Sequence, residues 1–353
     1  MKNIKKMLCL ALAVVMALSM VACGGTAKAP AAEKAPAAEA KDDYKLVLKM
    51  SHVFAPNEAL TITMQEICDS VYEKTGGAIE IQHFPQSQLA VYKDGLEQVV
   101  QGANFISVED PSYVGDYVPD FNVLAGPMLV TSYDQYVYLT KSAEVEAMKA
   151  KAAEKGIHII NIDYIFGFRS MMTNKLIETP ADMKGLKIRT PGSELYVNTI
   201  NCMGATATPM GFADTISAVQ QGVVDGLEGT IDAYASNGSA EVAKQMALTK
   251  HLLGVCGAYI NEDLWNSIPD NYRTIIEEEF NAGAERMVKK ISEGEAATMA
   301  KLENEMGITF NEVDNDAFKA LVLPIYDEMV AKRGVTPGLY EKFQEIIAAM
   351  PEA

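Results

Sequence analysis

From residue 44 onward the chain alternates short apolar/polar runs of period two with longer runs of helical period. Residues 45–51 alternate as a strand does, and residues 57–74 place Leu60, Met64, Ile67 and Val71 at helical spacing. Gly76 and Gly77 end that helix, and 78–84 reads as a second strand. The unit then repeats: 96–101 helical, 105–108 extended, 132–155 helical with Gly156 as its stop, and 157–162 extended. Such alternation predicts an α/β fold.

A second series follows. Residues 171–174 and 186–189 read as strands around a short capped turn, 179–185, in which Pro180 suits a first helical position and Gly185 the exit. Then come 193–203 helical, 205–209 extended, 213–221 helical, 223–227 extended and 232–246 helical. Two series imply two lobes. Residues 270–306 depart from the alternation, with Ile276, Phe280, Met287, Ile291, Met299, Leu302 and Met306 keeping a helical pattern that ends at Gly307. At about 1.5 Å per residue, one helix of this length spans about 55 Å and would serve both lobes; the alternative is two helices broken near Gly283 or Gly294.

The first 22 residues form a separate object. Lys2, Lys5 and Lys6 precede the apolar run 7–20, and small Ala22 stands before Cys23, as in a secretory signal peptide. The ending Met20-Val21-Ala22-Cys23-Gly24 resembles a bacterial lipobox, which implies lipidation of Cys23; the alternative is an ordinary signal cut elsewhere. Within 23–43 the hexapeptide Lys-Ala-Pro-Ala-Ala-Glu occurs twice, at 28–33 and 34–39. Without large apolar side chains it cannot offset its ordering entropy, and it reads as a flexible tether. No later stretch reaches the roughly 18 to 20 apolar residues of a membrane helix. The body is expected to be extracytoplasmic, leashed to a membrane by the lipid at Cys23.

Charge narrows the partners. With 30 basic and 47 acidic residues the formal net charge is −17, which argues against nucleic acid, since such partners need clustered Lys and Arg. A composition 49% hydrophobic and 22% charged is globular. Cys68, Cys202 and Cys256 are widely spaced and read as buried thiols, and His52, His83, His158 and His251 lack metal-ligand spacing. There is no G-x-S-x-G, zinc spacing or glycine-rich phosphate loop, so neither cofactor, metal nor catalysis is expected.

Four segments in order carry a resemblance over nearly all of 45–346: Gly77-Ala-Ile-Glu-Ile-Gln-His-Phe-Pro-Gln-Ser-Gln-Leu89, Ala181-Asp-Met-Lys-Gly-Leu-Lys-Ile-Arg-Thr-Pro191, Gly204-Ala-Thr-Ala-Thr-Pro-Met210 and Gln221-Gly-Val-Val-Asp-Gly-Leu-Glu228. They resemble the solute-binding proteins of tripartite ATP-independent periplasmic (TRAP) transporters, of the dicarboxylate-binding DctP type. The resemblance implies a two-lobed periplasmic-binding-protein-like α/β fold that closes on an organic acid, such as a C4-dicarboxylate, uronate or other sugar acid, and delivers it to a membrane permease. Lobe 1 is expected over 44–166 plus about 251–290, and lobe 2 over 167–250 plus about 291–353.

In that family the arginine of the K-x-R-x-P strand pairs with the ligand carboxylate, and the matching residue is Arg189. A planar guanidinium offers paired N–H donors in the geometry a carboxylate needs. Arg169 matches a position that reaches the ligand in some relatives. Where several relatives carry an asparagine after the D-G-x-E motif, this chain has Gly229, so that contact does not carry over. Asp225 and Glu228 read as hinge or helix-start supports. In the first lobe Ser51, His52, Tyr92 and Glu109 lie near strand ends, where ligands collect in open α/β sheets; Glu109 could accept from ligand hydroxyls, and Phe212 is a candidate wall. Two other classes stay open on sequence alone: the binding lobe of a signalling receptor, and an extracytoplasmic enzyme acting on organic acids.

Overall fold

A computed structural model describes residues 43–351; the leader, the repeat-bearing tether and Cys23 lie outside the described residues. Nine strands form one mixed sheet: β1 (Leu46–Ser51), β2 (Ile79–Phe84), β3 (Phe105–Glu109), β4 (Ile157–Thr173), β5 (Lys187–Thr190), β6 (Thr206–Pro209), β7 (Gly226–Gly229), β8 (Gln245–Asn261) and β9 (Thr309–Asn311). Their order is β2-β1-β3-β8-β4-β7-β5-β6, with β9 alongside β8. β2, β1 and β3 run parallel in one half, and β7, β5 and β6 in the other. Each parallel trio is the product of one α/β series.

β4 and β8 join the halves. Each is 17 residues long, about 55 Å at roughly 3.3 Å per residue, and they pair antiparallel from Ile157↔Asn261 to Thr173↔Gln245 with four register shifts. One end of β8 pairs β3 and the other β9. The sequence reading differs here in two places. It split β4 into two strands and continued a helix through 232–246. Instead the chain makes the helices Ile231–Ser236 and Ser239–Val242, then enters β8 at Gln245. The break is local: Asn237 Oδ1 accepts from the Ser239 N–H, ending one helix and starting the next. Likewise 132–155 is two helices, Tyr133–Thr140 and Ala143–Ala153, the second capped by Ser142 Oγ accepting from the Val145 N–H.

Both faces of the sheet are covered. The successive residues Met171 and Met172 show why, since strand alternation sends one into a cluster with Ile188, Ile200 and Phe318 and the other into a cluster with Leu227, Tyr234 and Leu302. In the first half, Leu48, Ile67, Ile106 and Phe280 form one apolar layer and Val99, Phe121, Tyr259 and Phe343 the other. Residues 270–306 form one uninterrupted helix, Asp270–Met306. Its Phe280, Met287 and Ile291 pack with the first half and its Leu302 with the second. Gly283 lets this helix approach the helix Ala59–Lys74, because a Cβ there would lie 2.4 Å from Ile67 Cδ1.

The last helices, Pro324–Arg333 and Leu339–Ala348, put Ile325, Met329, Leu339 and Phe343 into the first-half layer. Gln344 Nε2 donates to the Leu129 carbonyl, and the Thr336 N–H to Asp120 Oδ1. The sequence reading grouped these helices with the second lobe; their apolar stripe is satisfied across the molecule instead. Among the described residues no helix is long and apolar enough to cross a membrane, and Cys68, Cys202 and Cys256 are free thiols.

Candidate functional site

The ends of β3 and β5 face each other across the seam where β4 and β8 run between the halves, and a cavity opens there. The space between its walls, open mouth included, is about 660 Å³. Glu109 is the last residue of β3, Arg189 sits in β5, Arg169 in β4 and Gly229 ends β7; all four line the cavity with Tyr92 and Phe212.

Arg189 is the only cation of this wall without an acidic partner. Its side chain is 2% exposed. Nε and Nη2 donate to the Met210 carbonyl at 3.2 and 2.9 Å, and Nη2 to the Tyr92 hydroxyl at 3.5 Å. The Phe212 ring lies 5.3 Å from Cζ. Among the described residues no carboxylate lies within ion-pairing distance of it, and Nη1 has no hydrogen-bond partner. A desolvated guanidinium held by neutral acceptors favours an anion beside it.

Arg169 is different, because its charge is already met. Its Nε donates to Glu228 Oε2 at 2.5 Å and its Nη2 to Oε1 at 2.7 Å, a forked pair in which Glu228 is fully buried. Tyr196 lies under the guanidinium, 5.1 Å from its ring centroid. Burial alone would raise the Glu228 carboxyl; the Arg169 charge and donors, with His251 at 3.6 Å, overcome that and hold it at about 2. Arg169 therefore acts as a braced element of the cavity wall.

On the opposite wall Glu109 Oε1 accepts from the Tyr92 N–H at 2.6 Å. Burial raises this carboxyl to about 8, the Tyr92 N–H opposing the rise and Asp110 adding to it. Burial thus favours the protonated form of Glu109, which can donate its proton as well as accept, where the sequence alone presented it as a carboxylate. Asp110 is engaged, accepting from Ser112 N–H at 2.8 Å and the Tyr196 hydroxyl at 2.6 Å.

Of the residues expected to line the site, Arg189, Arg169, Glu109, Tyr92 and Phe212 meet around one cavity, whereas Ser51 and His52 do not reach it. Both are fully buried at the end of β1. His52 Nδ1 accepts from the Phe54 N–H at 3.2 Å and Nε2 faces His83 Nε2 at 2.7 Å, so its ring serves the loop beneath the site; burial, with His83 beside it, pushes it down to about 3. The chain instead turns Val53 and Phe54 to the cavity. Tyr113, Tyr196 and Asn237 also line it and escaped sequence reasoning. Only Asp110-Pro111, an N-cap followed by proline, signalled that β3 ends against a helix start; nothing local tells that Tyr196 reaches Asp110. No cluster of three or more His, Cys, Asp or Glu placed to hold a metal occurs among the described residues.

Comparison with known proteins places this geometry. Residues 50–333 match the family model DctP, bacterial extracellular solute-binding protein, family 7. A TRAP periplasmic solute-binding protein from Desulfovibrio salexigens, solved with diglycerolphosphate, is 52% identical and superposes with a TM-score of 0.85, covering 87% of this chain and 98% of that one. One from Fusobacterium nucleatum with bound sn-glycerol-3-phosphate is 40% identical, with a TM-score of 0.83 over 86% and 97%. A third, from Actinobacillus succinogenes with bound L-galactonate, is 30% identical, with a TM-score of 0.81 over 86% and 100%. With a two-lobed α/β frame, a seam cavity and the arginine of the K-x-R-x-P strand inside it, the chain belongs to the DctP family of TRAP-transporter solute-binding proteins.

Proposed function

We propose that the protein captures a small, hydroxyl-bearing organic acid in the seam cavity, with the anionic group on Arg189, and delivers it to a TRAP membrane permease. The observation that carries this is the buried Arg189 guanidinium with no acidic partner. A ligand anion would supply the missing charge. Arg169, braced by Glu228, lines the cavity without adding net charge, and Glu109, its protonated form favoured by burial, offers a hydroxyl-matching group across it.

Two anionic heads compete, carboxylate and phosphate ester. The ligands of the 52% and 40% identical relatives favour a phosphate ester of glycerol, and the 30% identical relative supports a sugar acid. Gly229 presents backbone rather than a side-chain amide to the head, and a Cβ there would press on Met172 Cε at 3.2 Å.

Binding is coupled to closure. Ligand contacts to both halves form together only when the seam is shut, so an acid shifts the open–closed equilibrium by its greater affinity for the closed form. The joints are β4, β8 and the helix Asp270–Met306, which run through both halves. Asn57 Nδ2 donates to the Ser236 carbonyl at 2.9 Å, a contact that supports the rims coming together on closure. The lipid at Cys23 keeps the body near the permease, and the proposal includes no chemical turnover.

The test is calorimetry of the purified protein against glycerol-3-phosphate, diglycerolphosphate, L-galactonate and succinate, with X-ray scattering at saturation. Binding of at least one acid with compaction is expected. Absence of any binding, or binding without compaction, would refute the reading.

A further inference from the structure

The charged cavity does not end at Phe212. A second chamber of about 490 Å³ adjoins it toward solvent and shares Val53, Phe212 and Asn237 with it. Its own walls are Gln86, Ser87 and Thr215 beside apolar Ala55 and Ile216, with Ala213 at the rim. No charged side chain lines it. The inner chamber carries a cation and the outer one is uncharged, its polar Gln86, Ser87, Thr215 and Asn237 set among apolar residues, so a molecule lying across both would be anionic at one end and uncharged, with hydroxyls, at the other.

Two features show that the outer chamber is shaped rather than incidental. Gln86 and Ser87 both adopt left-handed backbone, φ 56° and 58°, a conformation that costs non-glycine residues energy and persists only when surroundings impose it. It is imposed here by the Gln86 N–H donating to the Phe54 carbonyl and the Ser87 N–H to the His52 carbonyl, both at 3.0 Å. The turn thereby sets the two polar side chains at the mouth. The second feature is Asn237, in the wall common to both chambers. Its Oδ1 accepts from Ser239 N–H at 2.9 Å and Ser239 Oγ at 2.6 Å, which fixes the amide orientation. Its Nδ2 is left without a partner among the described residues, a donor held at the passage.

We infer that the outer chamber is a second subsite that selects elongated ligands: an anionic head on Arg189 and an uncharged polyol arm passing Phe212 and Asn237 to Gln86, Ser87 and Thr215. This rests on the proposed capture of an acid at Arg189. Short acids fill only the inner chamber, and an ester carrying a second polyol fills both. Phe212 separates the two, its ring over the Arg189 guanidinium on one side and in the chamber wall on the other. The arm adds affinity through hydroxyl contacts to Asn237 Nδ2 and the mouth side chains.

The experiment compares two phosphodiesters of equal charge, diglycerolphosphate and the methyl ester of glycerol phosphate, by calorimetry on the full chain. Diglycerolphosphate is expected to bind at least about tenfold tighter, the scale of one or two added hydrogen bonds. Ala213→Phe, at an exposed rim position that tolerates a larger side chain, should fill the outer chamber, erase that advantage and leave the methyl ester within about twofold. Equal affinities of the two diesters for the natural protein would overturn the subsite without needing any variant, as would an Ala213→Phe protein that keeps the preference or loses both ligands equally. If neither diester, glycerol-3-phosphate nor L-galactonate binds the natural protein, the underlying capture reading fails as well, so the two failures are separable.

Discussion

Replacing Arg189 with alanine separates a binding role from a structural one. In the absence of ligand the guanidinium makes two hydrogen bonds to the Met210 carbonyl and a long one to the Tyr92 hydroxyl, and no ion pair. Each of these charge-assisted hydrogen bonds is worth roughly 1.5 to 3 kcal/mol net, and the cost of burying an unpaired charge opposes them. The ligand-free protein should therefore lose little stability. In the complex the same side chain meets an anion away from water, and truncating one member of such a pair costs about 2 to 5 kcal/mol. That corresponds to a loss of about thirtyfold to several thousandfold in affinity. Calorimetry with the best-bound acid, beside chemical denaturation of the ligand-free protein, reads both quantities. Arg189→Lys keeps the charge but loses the fork, and should recover only part of the affinity. An Arg189→Ala protein that binds within threefold of the natural chain refutes the electrostatic account; one that unfolds without ligand refutes the claim that its contacts are dispensable.

Glu109 and Glu58, both buried, are raised to about 8, so the folded protein binds more protons than the unfolded chain between pH about 4.5 and 8; stability of the ligand-free protein should fall as pH rises through that window, and Glu109→Gln should flatten the fall, whereas an unchanged slope would remove Glu109 from the cause. Glu228, held at about 2, has the opposite sign: its contribution is present above the ordinary carboxylate range and is lost as pH drops from about 4.5 toward 2, and Glu228→Leu, which strands Arg169, should cost about 3 to 5 kcal/mol by urea denaturation, with a cost below about 1 counting against the brace. Gly254→Ala should destabilise by about 1 to 3 kcal/mol, because the added Cβ would meet the Gly167 carbonyl at 2.8 Å and the Phe166 and Thr230 side chains at 2.7 Å where β4 crosses β8; a neutral result would mean that the strands yield there more easily than the packing indicates.

The division of charge between the two arginines organises the site. Arg169 and Glu228 cancel each other and keep a wall rigid, while Arg189 stays open to an incoming anion. A pocket with both arginines free would bury two cations and be hard to close without ligand. With one already paired, a single anionic head suffices to neutralise the seam.

What neighbouring residues determine is legible in the sequence itself. Apolar spacing marked β1, β2, β3 and the helix Asp270–Met306, because period-two and period-3.6 patterns are properties of neighbouring residues. The motif 181–191 placed Arg189 in a strand next to a proline turn. Tertiary structure decided the rest. β8 was missed because a strand buried on both faces has no alternation to read, and the C-terminal helices found their partner layer over 200 residues away along the chain, as the Gln344–Leu129 hydrogen bond shows. The pairing of Arg169 with Glu228, the raised carboxyl of Glu109 and the withdrawal of His52 from the site all depend on which groups end up side by side away from water. Burial and proximity set ionisation and partnership, and neither is encoded in the spacing of residues along the chain.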